Sequence, residues 1–277
     1  MNTIAQLLDE RGPLVLPGVY DPLSALLAAR AGFRAVFLSG FALSATHLGR
    51  PDVGILGQAE VLDAARRVCA VATCPVIVDI DTGYDNVAAT VRALIEIGAA
   101  GCFLEDQVWP KRCGHMRGKQ VVALDDYLPK LDAALGTRGD ALFHVTARTD
   151  ARAAVGLDEA ITRATAFAAA GADAVFVEAP ESTEEMALVR ARVPADVTLV
   201  ANMVEQGRTP LRPTSELAAH GYQMVVVPVT GVLAAAHALE AAYGTLARDG
   251  GSTAVAADLM GFDALNALLD LDPSYRH

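Results

Sequence analysis

Cysteine is scarce in this chain: four copies in 277 residues, none of them in a Cys-x-x-Cys pair. No histidine cluster completes a zinc set, so neither a disulfide framework nor a structural zinc site is expected. Positive charge is also in short supply, with 22 Lys and Arg against 33 Asp and Glu and a formal net charge of -11. That balance argues against a general nucleic-acid surface and against an anionic membrane face. Long hydrophobic runs are missing too. No apolar stretch reaches membrane-spanning length, and no basic-then-apolar leader opens the chain, which predicts a soluble cytoplasmic protein. Low-complexity tracts are absent. What is present is apolar: 53% hydrophobic residues can fill a core of one large domain or two small ones.

Eight short apolar runs recur, at Leu14–Val19, Ala35–Leu38, Val76–Val78, Gly101–Leu104, Leu142–Thr146, Ala174–Val177, Thr198–Ala201 and Met224–Val227. Alanine- and leucine-rich segments of helical spacing separate them, including Pro22–Ala31, Gln58–Val71, Asn86–Ile97, Leu157–Ala170 and Thr183–Arg192. Continuous rather than alternating apolar strands mean burial on both faces, as in a parallel sheet covered by helices. Eight such units in roughly 240 residues predict an α/β fold, a (β/α)8 barrel of the TIM type. A doubly wound sheet is the competitor, and it rarely needs eight units. The expected organisation is a catalytic barrel over residues 1–248 and a C-terminal helical extension over 249–277. Thr253–Leu271, after the Gly250-Gly251 break, reads as further helix whose apolar residues pack on their own or a neighbouring barrel.

Barrel chemistry gathers at the C-terminal strand ends. There the chain places Tyr20, Ser39 and Gly40, then Asp79 and Asp81, Glu105, Arg148, Glu178, Asn202 and Thr230. Converging carboxylates with one arginine and one amide describe a metal-assisted site for a carboxylate substrate. Asp79 and Asp81 alternate along a strand end and can share a face; few hard oxygen ligands suit Mg2+, with Mn2+ as an alternative. Each residue has a plainer reading as well. The two aspartates and Asp52 could be turn formers, Arg148 could simply pair with Asp150, Glu178 could pair with Arg148, and Asn202 could satisfy backbone groups. His144, inside an apolar strand, reads as a barrel residue. Cys113 sits in Lys111-Arg112-Cys113-Gly114-His115, where neighbouring cations favour thiolate and a glycine loosens the backbone. This is the pattern of a reactive cysteine on a mobile loop; Cys69, Cys74 and Cys102 read as small buried hydrophobes.

These motifs, with Asp79-x-Asp81-Thr82-Gly83-Tyr84, Leu104-Glu105-Asp106-Gln107, Ala147-Arg148-Thr149-Asp150-Ala151 and Ala201-Asn202-Met203, resemble the isocitrate lyase/phosphoenolpyruvate mutase superfamily over nearly the full length. The Lys-Arg-Cys-Gly-His loop resembles that of its carbon–carbon lyases, of the 2-methylisocitrate, 2,3-dimethylmalate and petal death protein kind, and that of carboxyphosphonoenolpyruvate mutases. The resemblance implies that Ser39 and Gly40 hold a keto-acid carboxylate, that Asp81 ligates Mg2+ directly, and that Asp52, Asp79 and Glu105 hold the metal's waters. It implies that Arg148 contacts the keto-acid portion, with Tyr20, Gly114, Glu178 and Asn202 around the substrate. Cys113 would be the proton donor, with Lys111, Arg112 and His115 supplying positive charge, on a loop that closes as a gate. It also implies a helix-swapped dimer of dimers, that is, a homotetramer. The chain departs from the pattern at Asp85, Phe37 and Phe41, and at Leu233, where an arginine is expected. An apolar Leu233 would favour an alkyl group over a third carboxylate.

The implied reaction is a retro-aldol cleavage of a 2-hydroxy dicarboxylate, of 2-alkylmalate or 2-methylisocitrate type, to an α-keto acid such as pyruvate plus a carboxylate. The proton acceptor is unassigned, with Tyr20 or a carboxylate as candidates. A phosphonomutase shares the loop and metal residues and stands as the nearest rival. A non-catalytic keto-acid-binding barrel is the rival from another class.

Overall fold

A computed structural model describes residues 2–270 and residue 272. The strands are β1 (Leu14–Val19), β2 (Val36–Leu38), β3 (Val76–Asp79), β4 (Gly101–Glu105), β5 (His144–Thr149), β6 (Ala174–Val177), β7 (Thr198–Asn202) and β8 (Met224–Val227). Each pairs in parallel with the next, and β8 returns to β1 with Met224 opposite Leu14, closing the barrel. The helices are α1 (Ile4–Leu8), α2 (Pro22–Arg30), α3 (Gly40–Leu43), α4 (Gln58–Val71), α5 (Val87–Ile97), α6 (Leu124–Arg138), α7 (Ala151–Ala154), α8 (Leu157–Ala169), α9 (Thr183–Arg192), α10 (Thr214–Ala219), α11 (Thr230–Asp249) and α12 (Phe262–Leu268). A π-helical turn, Ser44–Leu48, prolongs α3.

Two apolar layers hold the barrel together, because successive strand residues face opposite sides. Leu14, Leu16, Phe37, Ile77, Phe103, Phe176, Val200, Met224 and Val226 fill the lumen, joined by Ile4 and Leu7 of α1. Thr3 starts α1 with a reciprocal cap: its hydroxyl accepts from the Gln6 N–H, and the Gln6 side chain accepts from the Thr3 N–H. Residues of the other parity, such as Val36, Leu38, Val78, Leu104, Val145 and Ala147, pack outward with helix residues including Val61, Val68, Val91, Leu94, Leu131 and Phe167. Inside, the rings of Phe37 and Phe103 lie 4.8 Å apart and those of Phe103 and Phe176 5.8 Å apart. Phe37, a point of departure from the resemblance, is thus a lumen residue. On β5, His144, Thr146 and Arg148 share the inward parity. Arg148 lays its guanidinium 5.2 Å from the centre of the Phe176 ring, so the aromatic layer floors the strand-end site.

The structure corrects the reading of several segments. β5 begins at His144; Leu142 is 81% exposed and lies outside it. Helix α6 carries Pro129 in its interior, normally a penalty. Packing overrides that penalty: Tyr127 is fully buried, donates its hydroxyl hydrogen bond to the Leu104 carbonyl at 2.7 Å, and stacks on Phe167 at 4.5 Å. Thr253–Leu271 is not one helix. A 3-10 turn at Ala256–Asp258 and α12 are separated by Gly261, and Leu271 lies outside the described residues. By compactness the chain divides between Val232 and Leu233, within α11. No helix among the described residues is long and apolar enough to cross a membrane.

Candidate active site

At the strand ends, an ammonium sits among carboxylates. Lys111 Nζ lies 2.6 Å from Asp52 Oδ1 and 2.7 Å from Asp81 Oδ1, and all three side chains are buried. Asp81 follows β3 with φ of 51°, a left-handed conformation unusual for a non-glycine residue, and its N–H donates to Asp79 Oδ1 at 3.2 Å. Gly40 opens α3 directly opposite: a Cβ there would lie 3.0 Å from Asp79 Oδ2 and 3.7 Å from Asp81 Oδ1. Ser39 caps α3, its hydroxyl accepting from the Ala42 N–H.

Glu105 stands at the end of β4 between Gln107, whose amide donates to its Oε1 at 2.9 Å, and Arg148, 3.3 Å from its Oε2. Arg148 also makes a bidentate pair with Asp150 at 2.9 and 3.1 Å and reaches Glu178 at 3.3 Å. One guanidinium thus gathers three protein carboxylates, at the ends of β4, β5 and β6. Asn202 donates from Nδ2 to Glu178 Oε2 at 3.1 Å, while its buried Oδ1 finds no protein donor. His115 Nδ1 accepts from the Arg208 N–H at 2.9 Å, which leaves its proton on Nε2, 3.2 Å from Glu178 Oε1. Burial opposes ionisation of Glu178, but Arg148 and the His115 hydrogen bond hold its carboxyl well below the usual range.

The segment from Gln107 to Lys119 folds over these groups as a strap. Gln107 fixes its start, accepting the Arg112 N–H at 3.0 Å and donating to the Arg112 carbonyl at 2.8 Å. The Cys113 N–H donates to the Asp52 carbonyl at 3.0 Å. Gly114 presses so close to the inner wall that a Cβ would lie 2.5 Å from Glu178 Oε2 and 2.7 Å from Arg148 Nη2. Buried Lys119 fastens the far end, donating to the Gly114 carbonyl and to Asp150 Oδ1, each at 2.5 Å.

Two charges differ from expectation. Lys111 does not stand beside the thiol as a free cation; it is absorbed by Asp52 and Asp81. Arg112 turns outward, exposed, and donates to the Arg117 carbonyl, because Gln107 holds its backbone and aims its side chain away. Burial therefore dominates at Cys113 and, with Asp52, pushes the thiol up to about 11, against the lowering effect of Lys111. Both effects favour the thiol over the thiolate. Tyr20 is half-buried against Ala42, Val229 and Val232, and burial and Asp21 raise its phenol, which makes it a poor proton acceptor. Leu233 falls in the second compact unit, on α11, 45% exposed.

Lys119, Gln107, Asp150 and Arg208 were missed as site residues. One signal could have found the first: lysine occurs only at Lys111, Lys119 and Lys130 in this arginine-rich chain. All three serve this end of the barrel, Lys130 donating to the Thr82 carbonyl at 3.5 Å.

Whether a divalent cation fits can be judged from the donors. Among the described residues, no three Asp, Glu, His or Cys side chains already converge on one centre. Two hard carboxylate oxygens do share a cationic partner, the Lys111 ammonium. Burial raises the Asp81 carboxyl, Lys111 opposes the rise, and Asp79 and Asp52 add to it, so the nest carries surplus negative charge. Such a nest, with few protein ligands, fits an ion that keeps several waters, as Mg2+ does.

The chain matches the family model described as phosphoenolpyruvate phosphomutase over residues 4–247. It is 40% identical over 278 residues to 2,3-dimethylmalate lyase of Eubacterium barkeri, covering 98% of this chain and 96% of that one. It is 44% identical to the chloroplastic carboxyvinyl-carboxyphosphonate phosphorylmutase of Arabidopsis thaliana, covering 96% and 80%. Among solved structures, a 2,3-dimethylmalate lyase superposes with a TM-score of 0.91 at 34% identity, covering 99% and 94% of the two chains. A phosphonopyruvate hydrolase in complex with oxalate and Mg++ superposes with a TM-score of 0.83 at 30% identity, covering 93% and 90%. The chain belongs to the isocitrate lyase/phosphoenolpyruvate mutase superfamily. Within it, the named relatives are lyases, mutases and hydrolases of small oxo acids, and the chain is an enzyme of the oxo-acid-lyase kind.

Proposed function

We propose that the enzyme cleaves a 2-hydroxy dicarboxylate, of 2-alkylmalate or 2-methylisocitrate type, into an α-keto acid and a carboxylate, with Cys113 as proton donor. The observation that carries this reading is the place of Cys113, whose N–H donates to the Asp52 carbonyl at 3.0 Å on a strap folded over the carboxylate nest; burial there favours the thiol over the thiolate. A carbon–carbon cleavage leaves an electron pair on the departing carbon, and a neutral thiol beside it can deliver the proton that a thiolate could not. Mg2+, or Mn2+, when bound by Asp81 with Asp52, Asp79 and Glu105 around it, would acidify the substrate hydroxyl and neutralise the keto acid.

The chain's own groups supply the rest. Arg148 and Ser39-Gly40 orient the oxo-acid end, and Gly114 permits the strap to lie flush, excluding water while the carbanion exists. A carboxylate of the nest takes the substrate hydroxyl proton as the bond breaks, and the Cys113 S–H proton passes to the departing carbon, leaving a thiolate that is reprotonated from solvent when the strap opens. A dicarboxylate is favoured over a tricarboxylate because nearby cations are engaged: Lys119 by Asp150 and Arg208 by Glu181 at 3.0 Å. The similarity to carboxyvinyl-carboxyphosphonate phosphorylmutase supports a second reading, phosphonomutase activity with the same metal and thiol.

A panel of 2-alkylmalates, 2-methylisocitrate and a carboxyphosphonoenolpyruvate-type substrate, assayed with Mg2+ for released pyruvate or rearranged phosphonate, separates the two. Cys113→Ser should bind pyruvate normally and lose turnover by about 10² or more. Full turnover in that variant would remove the thiol from the reaction.

A further inference from the structure

From the middle of the strap, His115 reaches two other elements of the barrel mouth. Its Nδ1 accepts the Arg208 N–H at 2.9 Å, from the loop after β7, and its Nε2 lies 3.2 Å from Glu178 Oε1, after β6. An imidazole that accepts at one nitrogen and donates at the other is neutral and of a single tautomer. The same loop grips the strap a second time. Arg208 Nε donates to the His115 carbonyl at 3.4 Å, and Arg208 Nη1 to Glu181 Oε1 at 3.0 Å. Gly207 leaves room for the ring: a Cβ there would lie 2.6 Å from His115 Nδ1, 2.9 Å from its Cε1 and 2.9 Å from the Val204 carbonyl oxygen.

The loop takes an unfavourable backbone path to do this. Gln206 is left-handed, with φ of 59°, and the Gly207 N–H donates back to the Val204 carbonyl at 3.0 Å. A residue with a side chain persists in that conformation where its surroundings impose it, and such residues gather at working sites. The other hydrogen bonds of the strap run to the Asp52 carbonyl and, through Lys119, to Asp150 after β5. His115 adds those to β6 and to the loop after β7. We propose that this loop is the clasp of the strap: Gly207 and Arg208 hold His115 as a neutral Nε2–H donor, and through that ring they keep Cys113, two residues away, over the reacting carbon. His115 is then a positioning residue and not a source of positive charge. The consequence for rate rests on the lyase reading above; the clasp itself rests on the hydrogen bonds.

Two measurements on the full chain read the clasp without any substrate. In nitrogen NMR at neutral pH, with the histidine rings labelled, the signals lost in His115→Asn identify His115. In the wild type they should show Nδ1 unprotonated and Nε2 protonated. In Gly207→Ala, whose methyl pushes the ring off the Arg208 N–H, that signature should give way to the averaged pattern of a free imidazole. Iodoacetamide labelling of half-buried Cys113, followed by peptide mapping, should run about fivefold to tenfold faster in Gly207→Ala, the opening expected from one lost hydrogen bond. Arg208→Ala, which keeps the backbone N–H, should fall between that variant and the wild type. On the best substrate of the panel, Gly207→Ala should lose about 10² in kcat with KM little changed. An imidazolium or Nδ1–H signature for His115 in the wild type would overturn the clasp, with no variant needed. Wild-type Cys113 labelling in both variants would overturn it as well. Absence of lyase turnover in the wild type, with the tautomer and labelling as expected, would overturn the lyase reading and leave the clasp standing.

Discussion

Gly114 is where the closed strap can be tested by a single methyl group. In the observed packing an alanine Cβ at this position would lie 2.5 Å from Glu178 Cδ, 2.5 Å from Glu178 Oε2 and 2.7 Å from Arg148 Nη2. Carbon needs roughly 3.5 Å from such neighbours, so something must yield by about 1 Å. The wall is the less compliant side. Glu178 is fully buried and held by Arg148, Asn202 and His115 at 3.1–3.3 Å, and Arg148 is held in turn by Asp150 and Glu105. The strap, which reaches the wall through Gly114 and its neighbours, therefore retreats in Gly114→Ala and carries Cys113 with it. A misplacement of about 1 Å at a reacting group costs about 10² in rate. Steady-state kinetics on the best substrate of the panel should show kcat reduced by about that factor. Wild-type kcat in Gly114→Ala, or a crystal structure of that variant with the strap unmoved, would refute the close-packed strap.

Gly136, on the exposed side of α6, offers the opposite case: nothing lies within 4 Å of its would-be Cβ, so Gly136→Ala should raise unfolding free energy by about 1 kcal/mol in urea titrations. Lys119→Met leaves Asp150 short of a buried partner and unfastens the Gly114 carbonyl; a loss of about 3 kcal/mol in stability and faster proteolytic nicking between Gln107 and Lys119 should follow. His144, inward on β5, is held by burial at a pKa of about 4, although Asp173 pulls the other way. The unfolded chain, with its histidine near about 6.5, binds this proton more readily, so the contribution to stability is complete above pH of about 6.5 and is lost as pH falls toward about 4. From these values the loss between neutrality and pH 5 is about 2 kcal/mol, and urea denaturation of His144→Gln at both pH values should show a correspondingly flatter profile. An unchanged slope would mean that other groups govern acid sensitivity.

Much of the barrel was legible because its two periodicities are written in residue type. Doubly buried strands need continuous apolar runs, so seven of the eight strands lie within a residue of their expected limits. The eighth, β5, was placed early because Leu142 is as apolar as the strand it precedes, yet it points to solvent. Helix α6 forms despite Pro129, a local penalty that tertiary packing around Tyr127 outweighs. The C-terminal segment has helical composition, but Gly261 and the turn at Ala256–Asp258 break it, and breaks of that kind register weakly in an alanine-rich stretch.

The site was legible as a set of residues and not as a set of pairings. Strand-end parity brings Asp79, Glu105, Arg148, Glu178 and Asn202 to one mouth, as their positions require. Loop geometry obeys no such period. Read along the chain, Lys111, Arg112 and His115 surround Cys113 with positive charge and argue for a thiolate. In space the three diverge: Lys111 goes inward to two aspartates, Arg112 outward to the Arg117 carbonyl, and His115 sideways to Glu178. What remains beside the sulfur is burial and the Asp52 carboxylate, and both favour the proton on the thiol. The difference is chemical, since a thiolate would serve as nucleophile and a thiol serves as acid. An anion parked next to an emerging carbanion would raise the energy of the cleavage step, whereas a neutral donor lowers it. Pairing the loop's cations internally thus keeps Cys113 in the form that a carbon–carbon lyase can use.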